Sequence, residues 1–228
     1  MQEQDERTSM RHSTRARAPF FCTFLAVFLL LSCGNDVVGP ENEWSTRQRE
    51  NAACLERAVF GNPADSLYIL PFPVGSAYRV SASYCDATDA GHYNELAYDF
   101  VMPVGADIMA SRPGIVVEVV DDFADGTYDN TRSNYIAIRH DDGTVAGYGH
   151  TQQHGALVPV GEQVAQGQPI GHSGSSGAGG LPHLHMGVFR SVVWRRTDDV
   201  AFNFRNAEGP LDHRGGLLEG VTYTALSF

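Results

Sequence analysis

The sequence predicts an all-β fold of short antiparallel strands over residues 68–190, with one short helix ahead of it. From Tyr68 onward, short runs rich in Val, Ile and Tyr recur, and several alternate apolar with polar residues, the period-2 texture of a half-buried strand. Clusters of Gly, Pro, Asp and Asn separate these runs, which is turn chemistry. No long stretch repeats its apolar residues at helical spacing.

Residues 1–32 read as an export signal. Arg11, Arg15 and Arg17 precede the apolar run Phe20–Leu31. That run falls in the range of roughly 7–15 residues expected of a signal core and is short of the roughly 20 needed to span a bilayer. Leu30-Leu31-Ser32-Cys33 resembles a bacterial lipobox, which implies cleavage behind Ser32 and a lipid on Cys33. The alternative is an ordinary signal with an incidental cysteine. Either way the expected place is the cell envelope or periplasm, and the lipid would make the chain a membrane-anchored lipoprotein.

Residues 33–67 form a tether and N-terminal segment: residues 35–51 are polar, and Ala52–Phe60 suits a short helix. The strand candidates then follow as Tyr68–Gly75, Tyr78–Tyr84, Leu96–Gly105, Gly114–Val120, Asn134–His140, Thr144–His150 and His183–Phe189. Residues 171–182, "GHSGSSGAGGLP", are a glycine-rich loop without the Lys of a phosphate-binding loop. Residues 191–228 add one or two strands packed on the main domain.

Composition excludes several function classes. The formal net charge is -11, and without a basic run nucleic acid is not an expected partner. All 16 basic residues are arginines, which rules out a lysine Schiff base or a lysine-linked carrier group. The exclusion matters because Val158–Gly171, "VPVGEQVAQGQPIG", is similar to part of a lipoyl or biotinyl carrier barrel. Of four cysteines, Cys22 lies in the signal and Cys33 at the lipobox. Export permits a disulfide between Cys54 and Cys85, and closing a loop of about 30 residues contributes roughly 3–4 kcal/mol in the chain-entropy model. The alternative is two buried thiols.

The chemistry concentrates in "LPHLHMGV", residues 181–188. On a strand, His183 and His185 share one face. A pair of imidazoles directed the same way suits a metal if a third ligand arrives from elsewhere, and "GHYNELAYDF" supplies His92 and Asp99. Two nitrogens and one oxygen suit zinc, with a fourth position left for water.

Residues 71–189 resemble the M23 family of zinc metallopeptidases, the lysostaphin and LytM type. "YDFVMPVGADIMASRPGIVVEV" is similar to that family's segment around the metal aspartate. "YGHTQQHGALVPVGEQVAQGQPIGHSGSSG" is similar to its Tyr-x-His turn and glycine-spaced hairpins, and "GGLPHLHMGV" to its His-x-His strand. The resemblance implies antiparallel sheets forming a groove, with hairpins related to the barrel-sandwich hybrid. It implies one Zn2+ ion held by His92, Asp99 and His185, with His150 and His183 as catalytic histidines. The implied activity is hydrolysis of peptide bonds in bacterial cell-wall peptidoglycan, with peptidoglycan peptides as substrate. Many family members place three residues between the metal His and Asp, whereas six intervene here. Leu96–Phe100, "LAYDF", is similar to the strand of a longer-gap subgroup.

A non-catalytic LytM-like module that binds and regulates another cell-wall hydrolase is the rival reading. The sequence does not divide the roles of His150 and His183. The remaining histidines receive plain expectations: His140 structural, His154 exposed, His172 beside the glycine loop, His213 solvated. Glu95 reads as a solvated loop carboxylate. Asp121, Asp122, Asp125 and Asp129 read as a solvated acidic hairpin tip whose spacing does not fit an EF-hand.

Overall fold

The β-rich runs fold as strands in a computed structural model that describes residues 40–86, 92–129, 131–177, 181–191, 193–195 and 197–228. The export signal and the lipid-bearing Cys33 expected within residues 1–39 lie outside the described residues. In chain order the elements are α1 (Pro40–Arg57), β1 (Ala77–Ala82), β2 (Ala97–Phe100), β3 (Asp107–Met109), β4 (Gly114–Val120), β5 (Tyr135–Arg139), β6 (Val145–Gly149), β7 (Thr151–Ala156), β8 (Gln163–Val164), β9 (Pro169–Ser173), β10 (Leu184–Phe189), β11 (Ala207–Glu208) and β12 (Thr222–Ala225).

The helix is longer than the sequence reading expects. It starts at Pro40 rather than Ala52, so much of the polar stretch read as tether is helical. Sparse apolar content hid this helix, because its stability comes from its C-terminal end. There Cys54 and Ala58 join the core, and Cys54 is disulfide-bonded to Cys85 with their Cα atoms 5.6 Å apart.

Two antiparallel sheets carry the rest. Nine strands are ordered β11-β12-β1-β2-β10-β6-β5-β4-β8, and three are ordered β3-β9-β7. The hairpin from β5 to β6 turns through Asp141-Asp142-Gly143. Gly143 sits at φ +85°, a conformation that glycine adopts without a Cβ penalty, and Asp142 Oδ1 accepts the Thr144 N–H at 3.0 Å. Beyond the main domain, β12 pairs with β1, matching Tyr78 with Tyr223.

Alternation sorts the central strands into two faces. Tyr98, Phe100, Tyr148, Leu184, Met186 and Val188 point into a core shared with Ile108, Ile136, Ile138 and Phe204. Their neighbours Asp99, Gly149 and His185 therefore lie on the opposite face. Pairing sets the register there: His185 stands opposite Asp99 on one side and opposite Gly149 on the other.

Candidate metal centre

The register alone delivers part of a site. Asp99 on β2 and His185 on β10 are directly cross-strand, close enough for side chains to meet, and Asp99 Oδ1 lies 2.8 Å from His185 Nδ1. His150 follows Gly149 at the end of β6, held at φ +59° where the chain bends into β7. His183 precedes the first residue of β10 instead of lying within the strand. Its ring still reaches the same side, with Nε2 3.7 Å from Asp99 Oδ2.

His92 arrives from a turn rather than a strand. Its Nε2 lies 3.0 Å from Asp99 Oδ1 and 3.1 Å from His185 Nδ1. The three atoms form a closed triangle, and these side chains could hold a metal ion. A tetrahedral site with bonds of roughly 2.0–2.1 Å spaces its donor atoms roughly 3.3 Å apart, close to the separations seen.

Backbone carbonyls set the tautomers. A carbonyl oxygen only accepts, so a ring nitrogen against it carries the proton. His92 Nδ1 faces Ser83 O at 3.1 Å, His150 Nδ1 faces Ser176 O at 2.7 Å, and His183 Nδ1 faces Leu181 O at 2.7 Å. In the neutral form of each ring, Nε2 keeps its lone pair. His185 is turned the other way, with Nδ1 in the triangle and Nε2 3.4 Å from Glu95 Oε1.

The field of the site favours positive charge. Burial would pull His185 down, but the Glu95 and Asp99 carboxylates outweigh it and push its pKa up to about 10. Asp99 moves well below the usual carboxylate range: burial opposes ionisation, and His92 and His185 overcome it. His150 shifts the other way. Burial first, then the nearby His183 and His185, lowers it to about 4. Its ring centroid is 4.5 Å from that of His183 and 5.9 Å from that of His185.

Glu95 corrects the sequence reading. It is not solvated but 7% exposed, and it backs a candidate ligand. A carboxylate two residues before a strand carries no signal of this, because only tertiary packing places it against His185. Asp125 is likewise more than a solvated tip: it accepts the Ser175 N–H at 2.7 Å and the Gln153 N–H at 3.2 Å, tying its loop to the segment that holds His150. Asp121, Asp122 and His154 form a second, mostly exposed cluster. His140 is buried with Nδ1 2.8 Å from Pro113 O. His172 faces Asp107 at 3.3 Å, and His213 is exposed.

One wall was missed altogether. Trp194, at φ +65°, lays its indole 5.3 Å from the His185 ring, beside Phe189 and Tyr135. A Cβ on Gly147 would meet the indole at 2.9 Å, and one on Gly149 at 3.2 Å. Two glycines at period two on one strand face are the sequence signal of such a close approach.

The sequence model of peptidase family M23 matches residues 93–198. These residues, just under half of the chain, are similar to peptidase family M23. The M23 match begins one residue after His92, so the placement of that histidine rests on the triangle itself. Peptidoglycan DD-endopeptidase ShyC of Vibrio cholerae serotype O1 is 39% identical over 87 residues, which are 38% of this chain and 18% of that protein. Peptidoglycan DD-endopeptidase ShyA of the same organism is 31% identical over 118 residues, 50% of this chain and 25% of that protein. The chain thus aligns with a quarter or less of the length of these two relatives. Among solved structures, the catalytic domain of the antimicrobial peptidase lysostaphin from Staphylococcus simulans is 26% identical. It covers 59% of this chain and 84% of that one, with a TM-score of 0.40.

Proposed function

We propose that this protein is a zinc-dependent endopeptidase that hydrolyses peptide bonds of bacterial cell-wall peptidoglycan. The convergence of His92 Nε2, Asp99 Oδ1 and His185 Nδ1 on one triangle, with His150 and His183 beside it, carries the reading. The names of the two relatives support the substrate class.

His92, Asp99 and His185 would hold the ion, and the nitrogen and oxygen donor set suits zinc. When bound, zinc polarises a carbonyl and lowers the pKa of water toward neutrality. His150 is neutral at pH 7, because burial keeps its pKa near 4, and its Nδ1–H is committed to Ser176 O. Its Nε2 therefore accepts the proton of the attacking water. His183, with Nδ1 against Leu181 O, turns Nε2 toward the Asp99 side and orients the water by accepting a hydrogen bond from it. Asp99 and Glu95 hold His185 between them and fix its ring for ligation through Nδ1.

Export and attachment through a lipid on Cys33 belong to the same proposal, supported by the apolar run Phe20–Leu31 and the Leu-Leu-Ser-Cys sequence after it. An enzyme acting on the wall needs that compartment. The test is purified protein assayed for zinc and incubated with isolated sacculi. One zinc per chain and released muropeptides are expected. Protein that binds sacculi or another hydrolase without releasing peptides refutes the enzymatic reading.

A further inference from the structure

The turn that carries His92 is held from outside the M23-matched span. Six residues separate His92 from Asp99, so the strand that positions Asp99 does not position His92 with it. The segment preceding the matched span does that instead. Arg57, the last residue of α1, donates from Nη1 to Asn94 Oδ1 at 3.1 Å and from Nη2 to Asn94 O at 3.4 Å. The same Nη2 reaches Asp199 Oδ1 at 3.1 Å, and Asp199 Oδ2 accepts the Leu96 N–H at 2.8 Å. Tyr93 Oη donates to Glu50 of α1. Cys85, bonded to Cys54 of α1, donates its N–H to Glu95 O at 2.9 Å. Tyr93, Asn94, Glu95 and Leu96 are each tied, and Asn94 stands at φ +52°, a conformation that asparagine tolerates better than most residues.

We infer that α1 and the Cys54–Cys85 bond are a strap that positions His92 and Glu95, and that the strap sets the metal affinity of the site. The inference rests on the metal reading above. A ligand on a free turn loses its conformational freedom when it binds, and that loss weakens binding; a turn already ordered has little left to lose. Arg57, Asp199 and the disulfide are positioning residues in this scheme. They touch neither the triangle nor the substrate.

The test uses the full chain and reads zinc affinity by competition with a chromophoric chelator, alongside circular dichroism to confirm folding. Arg57→Ala, and separately Cys54→Ser combined with Cys85→Ser, should each weaken zinc binding by about tenfold or more, the scale of lost outer-shell support. Arg57→Lys keeps the charge facing Asp199 and should recover part of the loss. Arg214→Ala removes a different hold on α1, the bond from Nη1 to Leu55 O at 3.0 Å, and should leave zinc affinity at the parental value. Folded Arg57→Ala and double-serine proteins that bind zinc as tightly as the parent overturn the strap while leaving the metal site standing. A parent chain that binds no zinc overturns both.

Discussion

Asp99 and His185 stand directly opposite each other on β2 and β10, with Oδ1 and Nδ1 2.8 Å apart. The pair is a product of strand register, and a one-residue slip of either strand would turn its own side chain to the core face and break the pair. His92 then completes the triangle from a turn, so the site joins a rigid half to a half that must be held in place.

Removing the rigid half should abolish metal retention. Asp99→Ala deletes the only carboxylate of the triangle. Zinc per chain after dialysis against a weak chelator should fall from about one to below about a tenth, with the circular dichroism spectrum unchanged. Stoichiometric zinc in this variant would remove Asp99 from the ligand set.

His150→Ala should separate binding from turnover. The ring lies outside the triangle, so zinc content should remain parental while release of muropeptides falls by about 10²–10⁴-fold, the usual worth of a positioned proton acceptor. Hydrolysis at the parental rate would contradict the role given to His150.

Glu95→Gln should weaken zinc binding by about 10–100-fold while leaving the three ligands in place. The amide removes the charge behind His185 Nε2 and keeps the side-chain shape. Chelator competition measures the loss, and unchanged affinity would leave Glu95 with a packing role only.

His140 should make stability depend on pH. Burial, the largest cause, and then Arg112 lower its pKa, so the folded chain binds its proton less readily than the unfolded chain, whose imidazole titrates near about 6.5. The stabilisation is present above that pH and is lost as pH falls from there toward the lower folded value. Urea midpoints at pH 8, 6.5 and 5 should show a drop on the acid side, and His140→Gln should flatten it. Equal slopes in parent and variant would exclude His140 as the source.

Some of this was legible because it is local. Period-2 runs with Val, Ile and Tyr announce strands, and "LAYDF" and "HLHMGVF" each show which residues share a face. Thus Asp99 and His185 could be picked out as outward-facing polar residues in apolar strands. The helical start at Pro40 was not legible, since α1 has few apolar residues and is anchored mainly at one end. Glu95 and Asp125 were misread because a carboxylate in a loop looks solvated until packing shows what covers it. The carbonyls of Ser83, Ser176 and Leu181, which set three histidine tautomers, have no side-chain identity for a sequence to display.

From the chain alone came the all-β class, the five residues of the candidate site, the cysteine pair and the exclusion of lysine chemistry. The class, the cysteine pair, the His-x-His strand and the missing lysine are read from residue type and short-range periodicity, whereas His150 and the division into ligands and catalytic histidines came from the resemblance to the M23 family. Tertiary structure decided which atoms meet: Nδ1 of His185 rather than Nε2, Glu95 behind it, Trp194 over the two glycines, and α1 beneath the His92 turn. Such contacts join positions far apart in the chain, 142 residues in the case of Arg57 and Asp199. Their geometry follows from sheet register and packing, which only the folded chain possesses.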